Sequence, residues 1–281
     1  MTMTKHTIAF QGNAGAYSDL ACRAVYPDYE TIPCETFQVA FEAVQNRQAE
    51  FAMIPIDNTL AGRVADVHHL IPESGLSIVG EHFQPIQHSL MGIPGTKREI
   101  IKHVHSHIHA LPQCRKIIAD LKAKPHVESD TAGAALRVKE MNSREHAAIA
   151  SSLAAEIYGL EIIEKDVQDA DHNTTRFLIF TKSNDTPKYK KNKFYITSFI
   201  FRVQSIPAAL YKTLGGFATN GVNMLKLESY IDSQFNAAQF YADVEGHIEE
   251  EHVKRAIEEL NFFASSYTYL GTYEGHEFRK K

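Results

Sequence analysis

Two polar segments follow apolar runs and carry groups that can bind an anion. Gly12 and Gly15 stand between a predicted strand and a predicted helix, where backbone N–H groups can face a carboxylate. Their spacing is not the GxGxxG of a dinucleotide site, and a plain tight turn with a helix cap is the preferred interpretation of this motif alone. Asn58 and Thr59 follow the apolar run Phe51–Ile56. Both can donate hydrogen bonds to ligand oxygens, and capping of the next helix is the default for one of them.

Thr175 and Arg176 place a hydroxyl beside a guanidinium. Threonine has a high intrinsic pKa and is a weak general acid without assistance, so Thr175 would act mainly by oriented hydrogen bonding in a dry site. Arg176 can form a forked pair with a carboxylate. Because neighbouring strand residues point to opposite faces, the two side chains need not share a site. Ligand binding by Arg176 and a structural role that ties two parts of the chain together remain equal alternatives.

The run from His103 to His109 has histidine at every second position. An extended chain would place these four imidazoles on one side. Zinc sites need tetrahedral convergence, usually with ligands from more than one element, and a single strand spreads its side chains too widely. Metal binding is therefore not expected here. The neighbouring pair His68 and His69 is predicted to be exposed on a helix rather than to ligate a metal.

The patterns of common hydrolases and phosphate-binding enzymes are missing from the sequence. It contains no G-x-S-x-G elbow, no P-loop Gly-Lys-Ser/Thr and no H-E-x-x-H. Ser18 has no recognisable His and Asp partners. Nucleophilic and metal-dependent hydrolysis are therefore not indicated by any motif.

The bulk composition is that of a globular protein. The 281 residues are 44% hydrophobic and 22% charged, with a formal net charge of −5. Such a chain is long enough for two domains and has no basic field for nucleic acid. The N-terminus lacks an apolar signal core, and no uncharged apolar run approaches the roughly 18 residues of a membrane helix. The cysteines Cys22, Cys34 and Cys114 are widely spaced, which predicts free thiols in a reducing cytosol.

Residues 7–181 read as alternating short strands and amphipathic helices. The predicted strands are Thr7–Gln11, Phe51–Ile56, Leu76–Glu81, His88–Gly92 and Arg176–Thr181, and the predicted helices include Ala16–Val25, Phe37–Asn46, Gln113–Lys122 and His146–Tyr158. This alternation predicts parallel sheets with helices on both faces. Ligands bind beyond the carboxyl ends of such strands, so the functional loops should follow Gln11, Ile56 and His105.

A polar, lysine-rich segment at 183–193 is predicted to link two domains, 1–182 and 194–281, although a surface loop within one domain is the alternative. After it the pattern changes. Strands are predicted at Phe194–Val203, Val222–Ile231, Ala237–Gly246 and Ser266–Thr272, with helices from Pro207 to Asn220 and at Glu249–Leu260. The resulting βαββαβ order predicts a ferredoxin-like unit, the order expected of an amino-acid-binding ACT domain.

The segment Asp171–Phe177 resembles the Asn-x-Thr-Arg-Phe signature of prephenate dehydratases. Further segments fit the same family in order along nearly the whole chain. They are Gln11–Ser18, Pro55–Val64, Ser106-His107 with Ala110–Cys114, Ala147–Ser151 with Tyr158–Leu160, Leu227–Ser229 and Asp243–His247. One such match would be weak evidence, whereas six in order are strong.

The resemblance implies a cytoplasmic lyase of phenylalanine biosynthesis, without cofactor or metal, that converts prephenate to phenylpyruvate. The implied fold is a two-lobed catalytic domain like type II periplasmic binding proteins, followed by the ACT domain. Thr175 is implied as the catalytic hydroxyl. The implied substrate-binding residues are Gly12, Ser18, Asn58, Thr59, Ser106, His107, Gln113, Thr174, Arg176 and Phe177.

The same resemblance implies regulation by L-phenylalanine, bound between ACT domains of a dimer or tetramer. The implied effector-binding residues are Ala208, Ala209, Leu210, Asn220, Asn223, Leu225, Glu228 and Ser229. Three departures from the family pattern affect the implied site residues. In the substrate-binding segment, Ile108 and His109 replace a proline and a glutamine, which weakens any role for His109. In the effector-binding segments, Ala208 replaces a glycine, and Tyr230 and Ile231 replace Arg-Pro.

Two other functions are compatible with the sequence. Arogenate carries an amino group in place of the keto group of prephenate, and the motifs do not separate the two substrates. A two-lobed α/β core also serves non-catalytic solute-binding proteins, so a binding protein is the alternative from another class. A pure amino-acid sensor would leave the first 181 residues unexplained.

Overall fold

The computed structural model describes residues 6–183, 185–204, 206–231 and 237–280. The expectations that fall on residues 1–5, on Asn184 of the predicted linker and on Lys281 lie outside these ranges. Two compact units are present. The first comprises the chain up to Val67 together with His82–Phe177, and the second comprises His68–Glu81 together with the chain from Leu178.

The chain as far as Thr181 alternates strands and helices, as the sequence predicts. In order, the elements are β1 (Thr7–Gln11), α1 (Tyr17–Val25), β2 (Glu30–Cys34), α2 (Phe37–Gln45), β3 (Phe51–Asn58), β4 (Gly62–Arg63), α3 (Ala65–Leu70), β5 (Ser77–Pro85), β6 (Ser89–Gly92), β7 (His103–His107), α4 (Arg115–Leu121), β8 (Lys124–Glu128), α5 (Thr131–Met141), β9 (His146–Ala150), α6 (Ser152–Tyr158), β10 (Glu161–Glu164) and β11 (Thr174–Thr181).

These strands form two sheets, ordered β2-β1-β3-β11-β5 with β4 beside β3, and β10-β6-β9-β7-β8. β1 is parallel to β2 and β3, and β7 is parallel to β8 and β9. β6, however, is antiparallel to β9 and β10. The expectation of purely parallel sheets is therefore wrong. The connection from β6 to β7 covers residues 93–102 and contains no α-helix. It is shorter than the crossover of a dozen or more residues that parallel strands need, so β6 runs opposite to β7 and to its parallel neighbour β9.

The segment His146–Tyr158, predicted as one helix, is the strand β9 followed by the helix α6. The helix begins where the Ser151 hydroxyl accepts a hydrogen bond from Ala154 N at 3.1 Å. A short run of alanine and isoleucine cannot be assigned by periodicity alone, because it suits a buried strand as well as a helix. Burial between β6 and β7 decides for the strand, and Ala147–Ala150 have no exposed surface.

Both sheets have strands buried on two faces. In β3, Ala52, Met53, Ile54 and Ile56 are all fully buried, as expected of strands covered by helices on both sides. The second sheet packs through a cluster that includes Val104 and Ile149. These covered strands hold their ends in fixed positions, and the site residues lie at those ends.

The second unit contains a four-stranded sheet and two helices. Its elements are β12 (Tyr195–Val203), α7 (Ala209–Thr219), β13 (Met224–Ile231), β14 (Ala237–Glu245), α8 (Glu251–Phe263) and β15 (Ala264–Glu274). The strand order is β13-β14-β12-β15, with antiparallel pairs throughout. The predicted βαββαβ order is thus present. The helices cover one face of the sheet through a core that includes Phe199, Phe201 and Phe217.

Three further sequence expectations have structural outcomes. Cys22, Cys34 and Cys114 are buried free thiols, as predicted. His68 is buried rather than exposed, with its ring centroid 6.1 Å from that of Tyr230; successive helical residues point about 100° apart, so His69 alone of the pair faces solvent. Within the described part of the chain, no helix has the length and apolar character that crossing a membrane requires.

Candidate active site

A cavity of about 230 Å³ lies in the first unit, at strand ends of both its sheets. Asn58 ends β3, His107 ends β7, and Thr175 and Phe177 come from β11. The remaining lining residues come mainly from helix starts and connections: Tyr17, Ser18, Pro55, Ala61, Val64, Ile86, His88, His109, Ala110, Gln113, Thr131 and Asn173. The segments that follow Ile56 and His105, where functional loops were predicted, therefore do supply part of the cavity wall.

Thr175 is the centre of a side-chain network. Asn58 Nδ2 donates to Thr175 Oγ1 at 2.9 Å and to Asn173 Oδ1 at 2.7 Å. The Asn58 side chain cannot be turned over, because its Oδ1 accepts from the backbone N–H groups of Leu60 at 2.9 Å and Ala61 at 2.7 Å. Since the Thr175 oxygen accepts from Asn58, its hydroxyl hydrogen is available for donation to a ligand.

β11 places alternate residues on opposite sides. Thr175 and Phe177 line the cavity, whereas Thr174 and Arg176 do not. Arg176 is buried and does not line the cavity. Of the two alternatives for Arg176, this placement favours the structural role.

The side chains of Gln113, His88 and Tyr17 continue the network from Asn173. Gln113 Oε1 accepts from Asn173 Nδ2 at 2.6 Å and lies 3.4 Å from His88 Nε2. On the other side of the ring, His88 Nδ1 is 2.8 Å from the Tyr17 hydroxyl. Burial lowers the pKa of His88 to about 4, with the Gln113 contact opposing. Burial also raises the pKa of Tyr17 well above its ordinary value. Both groups are therefore neutral near pH 7.

His107 and His109 form a second polar group on the wall, with ring centroids 5.1 Å apart. Burial, followed by the neighbouring His109, lowers the pKa of His107, and Asp130 opposes this. A neutral His107 is a hydrogen-bonding group rather than a fixed cation. His109, whose role the sequence comparison weakened, nevertheless lies on the cavity wall.

Neither glycine N–H group of the turn is free to bind a ligand. Gly12 N donates to Cys34 O at 2.9 Å, and Gly15 N donates to Asp19 Oδ2 at 2.8 Å. A Cβ on Gly15, whose φ is +87°, would lie 2.7 Å from the Cα of Ala154. This geometry supports the tight-turn interpretation, with glycine required for close packing.

Five of the predicted substrate-binding residues lie outside the cavity lining: Gly12, Thr59, Ser106, Thr174 and Arg176. The Thr59 hydroxyl donates to His172 O at 2.9 Å and accepts from Thr174 N at 2.9 Å. The buried Ser106 hydroxyl donates to Ile149 O at 2.6 Å. These two hydroxyls form hydrogen bonds between neighbouring segments of the first unit, and neither residue lines the cavity.

Sequence reasoning missed Tyr17, His88 and Asn173. Asn173 lies in the signature segment, two residues before Thr175, and its amide could have been predicted as a hydrogen-bond partner in the site. His88 was assigned only as the start of a strand, and no local pattern marks it. Tyr17 stood in a matching segment, but its partner is 71 positions away in the chain.

Four histidines of β7, β8 and β9 form a separate group, called here the histidine cluster: His103 and His146 begin their strands, and His105 and His126 lie in the middle of theirs. His103 Nδ1 lies 2.9 Å from His126 Nε2, and His105 Nε2 lies 2.9 Å from His146 Nδ1. His105 Nδ1 also pairs with Glu128 at 2.8 Å. Across the described ranges, no three His, Cys, Asp or Glu side chains are placed to hold one metal ion.

The predicted effector residues lie around α7 and β13 in the second unit. Ala208 begins α7 with φ +60°, a left-handed conformation. Asn220 ends that helix and its Nδ2 donates to Glu259 at 2.8 Å. On β13, Ser229 pairs with Phe240, a residue of the helix-covered core, whereas Glu228 pairs with Tyr241. Glu228 and Ser229 therefore face opposite sides of the sheet.

The protein has a mixed α/β fold, and its cavity brings together hydroxyl, amide and imidazole groups. The sequence pattern of the family "Prephenate dehydratase" matches residues 8–185, more than half of the chain. The chain belongs to the prephenate dehydratase family, and is a lyase of phenylalanine biosynthesis.

Similar proteins carry more than one activity in their names. A bifunctional N-acyl-homoserine lactone acylase/prephenate dehydratase of Komagataeibacter europaeus is 50% identical over 275 residues, which is 98% of each chain. Arogenate dehydratase/prephenate dehydratase 1 of Arabidopsis thaliana is 36% identical and covers 96% of this chain and 72% of its own. The structure of the prephenate dehydratase of Arthrobacter aurescens in complex with L-Phe has a TM-score of 0.87 at 29% identity, covering 95% of this chain and 90% of that one.

Proposed function

We propose that the chain converts prephenate to phenylpyruvate, water and carbon dioxide. The observation that carries the proposal is the Thr175 hydroxyl, whose oxygen accepts from Asn58 at 2.9 Å and whose hydrogen is free for a ligand in the cavity. A leaving hydroxyl needs such a donor. Family membership supports the same chemistry.

The reaction breaks one C–O and one C–C bond and makes the ring aromatic. The electrons of the C–COO⁻ bond enter the ring, carbon dioxide leaves, and the ring hydroxyl departs as water with one added proton. Thr175 donates a hydrogen bond to that departing oxygen, and preorganised donors of this kind contribute roughly 10²–10³-fold to a rate. Phe177, Ile86 and Val64 supply apolar wall for the ring. Little covalent chemistry is asked of the protein.

The remaining carboxylate needs hydrogen-bond donors rather than a fixed cation. Tyr17 and Ser18, in the first turn of α1, line the cavity, and a helix N-terminus favours an anion. The imidazole of His107, whose pKa is lowered by burial, can donate to the same group, and His109 lies beside it on the wall. This donor set binds prephenate or arogenate, because the two differ only at the keto or amino group.

The deciding experiment measures phenylpyruvate from prephenate, and phenylalanine from arogenate, with purified protein. The wild type should turn over prephenate, and Thr175→Ala should lose at least about 10²-fold in kcat while Thr175→Ser keeps part of it. Preference for arogenate would move the assignment to the alternative substrate. A folded wild type that is inactive on both would overturn the dehydratase proposal in favour of a binding protein.

A second activity is favoured by one observation, the 50% identity over 98% of both chains to the bifunctional acylase/prephenate dehydratase. The structure of GqqA, described as a novel type of quorum quenching acylase, matches with a TM-score of 0.91 at 49% identity, covering 98% of this chain and 100% of that one. We therefore infer N-acyl-homoserine lactone acylase as a second candidate. Release of homoserine lactone, followed by mass spectrometry for wild type and Thr175→Ala, tests it and shows whether the two activities share Thr175.

We propose a catalytic domain with two lobes at residues 1–182, like type II periplasmic binding proteins, a linker at 183–193 and a ferredoxin-like ACT domain at 194–281. These boundaries differ from the two compact units, which place His68–Glu81 and Leu178–Lys182 in the second unit. The described residues between 183 and 193 contain no helix or strand, which supports the linker. Three buried free thiols support a reducing, cytoplasmic location.

L-phenylalanine is the proposed effector, since the Arthrobacter aurescens protein was solved in complex with it. Binding between ACT domains would require a dimer or tetramer. Ala208 is the informative position, because its left-handed φ of +60° favours glycine. Ala208→Gly should bind phenylalanine at least as tightly as wild type in isothermal titration, and absence of heat from both proteins would count against the effector.

A further inference from the structure

Two hydroxyl groups of the cavity wall are buried and make no hydrogen bond with any described residue. They belong to Ser18, which is 9% exposed, and to Thr131, which is 8% exposed. Buried hydroxyls are nearly always hydrogen-bonded, so both groups are donors that the fold leaves for a ligand. We propose that Thr131, together with Ser18, binds the side-chain carboxylate of the substrate, the one that remains in the product. The proposal rests on the dehydratase function given above and adds Thr131 to its donors.

Each of these hydroxyls stands in the first turn of a helix. Ser18 is the second residue of α1, and Thr131 is the first residue of α5. The backbone N–H groups of a first turn have no acceptor within the helix, which gives that end a partial positive charge and favours an anion. A hydroxyl at the same place adds one more donor. The two helix starts therefore combine positive potential with hydrogen-bond donors, without a fixed cation.

The starts of α1 and α5 are held beside each other. Asn13, in the turn before α1, donates through Nδ2 to Asp130 Oδ2 at 2.6 Å, and Asp130 is the N-cap of α5. His107 ends β7 opposite Glu128, which ends β8 two residues before that cap. Ser18, Thr131 and His107 all line the cavity. The two helix starts and the end of β7 therefore form one part of its wall.

The carboxylates next to the two hydroxyls oppose the binding of an anion. Asp19, which follows Ser18, is paired with Arg23 at 2.9 Å. Asp130 has no such cation, but its Oδ1 accepts from Gly133 N at 2.8 Å, its Oδ2 accepts from Asn13, and it does not line the cavity. The charge of Asp130 should therefore weaken the binding of a carboxylate at α5 without occupying its donors.

The reaction distinguishes the two carboxylates of the substrate. The ring carboxylate loses its charge as carbon dioxide leaves, so donors to it would stabilise the substrate more than the transition state. The side-chain carboxylate keeps its charge in the substrate, the transition state and the product. Donors to this group bind all three states about equally, and their removal should raise KM with little change in kcat. The helix starts therefore suit the side-chain carboxylate.

The kinetic test removes the hydroxyl and keeps the shape of the side chain. In Thr131→Val, we expect KM for prephenate to rise about tenfold, with kcat within twofold of wild type. Thr131→Ser keeps the hydroxyl and should stay within twofold of the wild-type KM. Ser152→Ala is the matched control, because Ser152 is an exposed first residue of α6 that does not line this cavity. An unchanged KM in Thr131→Val would overturn the proposal.

A second variant removes the opposing charge alone. Asparagine caps a helix as well as aspartate does, so Asp130→Asn keeps the bond to Gly133 N, and the amide of Asn13 can turn over to accept from the new one. KM for prephenate should fall about threefold, because a repulsion is removed. KM for arogenate should fall by less, since its ammonium also loses an attraction. A higher KM for prephenate in folded Asp130→Asn would contradict a carboxylate at this helix start.

Binding is also measured without turnover, by isothermal titration with phenylpyruvate, which keeps the side-chain carboxylate. Its Kd should rise about tenfold in Thr131→Val and stay near the wild-type value in Thr131→Ser and Ser152→Ala. Phenylacetone lacks the carboxylate, so its affinity should not differ between wild type and Thr131→Val. If Thr131→Val does not fold, Ser18→Ala takes its place, with the same expected rise in Kd.

The titration separates this proposal from the dehydratase function. Equal phenylpyruvate affinity in wild type and Thr131→Val, or no binding to wild type, would overturn the carboxylate site. A protein that is inactive on prephenate and arogenate, but whose phenylpyruvate affinity still depends on the Thr131 hydroxyl, would reject the dehydratase function and leave the carboxylate site established.

Discussion

The two ends of β7 hold histidines in opposite kinds of surroundings. At the amino end and in the middle of the strand, His103 and His105 contact other imidazoles in the histidine cluster. At the carboxyl end, His107 lies on the cavity wall beside His109. The sequence spacing is identical along the run, so the difference comes from what neighbouring strands bring to each end. Ligand sites of α/β sheets form beyond the carboxyl ends of strands, and only that end of β7 reaches the cavity.

The first test of this contrast measures turnover after a substitution at Asn58, which ends β3 and lines the cavity. Asn58→Ala removes the group that donates to Thr175 Oγ1, and kcat for prephenate should fall about 10²-fold. Its neighbour Thr59 is the matched control, because its hydroxyl bonds His172 O and Thr174 N away from the cavity lining. Thr59→Ala should lower the free energy of unfolding by about 1 kcal/mol and leave kcat within twofold. Equal losses of kcat in the two variants would contradict the assigned geometry.

The second test uses pH. His88 has a folded-state pKa of about 4, against an ordinary value near 6.5. Between these values the unfolded chain binds a proton that the folded chain does not, so stability falls as pH falls through 6.5 and the loss is complete below about 4. The contribution is roughly 1–3 kcal/mol for a shift of this size at a buried site.

Urea denaturation at pH 7.5, 6.0 and 5.0 measures that contribution. His88→Gln should flatten the dependence of the unfolding free energy on pH, while His252→Asn should follow wild type. A slope in His88→Gln as steep as that of wild type would place the acid sensitivity elsewhere.

The sequence patterns predicted most of the strands and helices, but not the contacts between side chains in the site. Thr175, Asn58 and Gln113 are local features of matching segments, and the structure places them on one cavity. The contacts of His88 with Tyr17 and Gln113 join three separate segments, so no single segment indicates them. The strand His146–Ala150 was missed because its burial between β6 and β7 is a tertiary effect. His126 and His146, similarly, meet His103 and His105 only through the strand register.

A third prediction concerns Ser106, which stands between the two ends of β7. Its hydroxyl donates to Ile149 O at 2.6 Å in a fully buried position. Ser106→Ala should lower the free energy of unfolding by about 1 kcal/mol, because one buried hydrogen bond is lost. Thermal and urea unfolding measure the change, and kcat should stay within twofold since Ser106 does not line the cavity. A large loss of kcat at unchanged stability would show that Ser106 contributes to substrate binding or catalysis.

The smallest expected effect is at the histidine cluster. Burial, followed by the neighbouring imidazoles, lowers the pKa values of His126 and His146. Lys124 adds to this at His126, whereas Glu128 opposes it there and Glu145 opposes it at His146. The sign matches that at His88: protons bind the unfolded chain first, so stability is lost as pH falls below about 6.5.

Both cluster residues are only partly buried, so solvent screens the repulsion and the contribution is smaller than that of His88. His126→Gln and His146→Gln should each flatten the pH dependence of unfolding by less than His88→Gln does, with kcat at pH 7.5 unchanged. The same urea series gives the comparison. A cluster variant that changed kcat at pH 7.5 as strongly as Asn58→Ala would mean that the two ends of β7 are not independent, because no cluster residue lines the cavity.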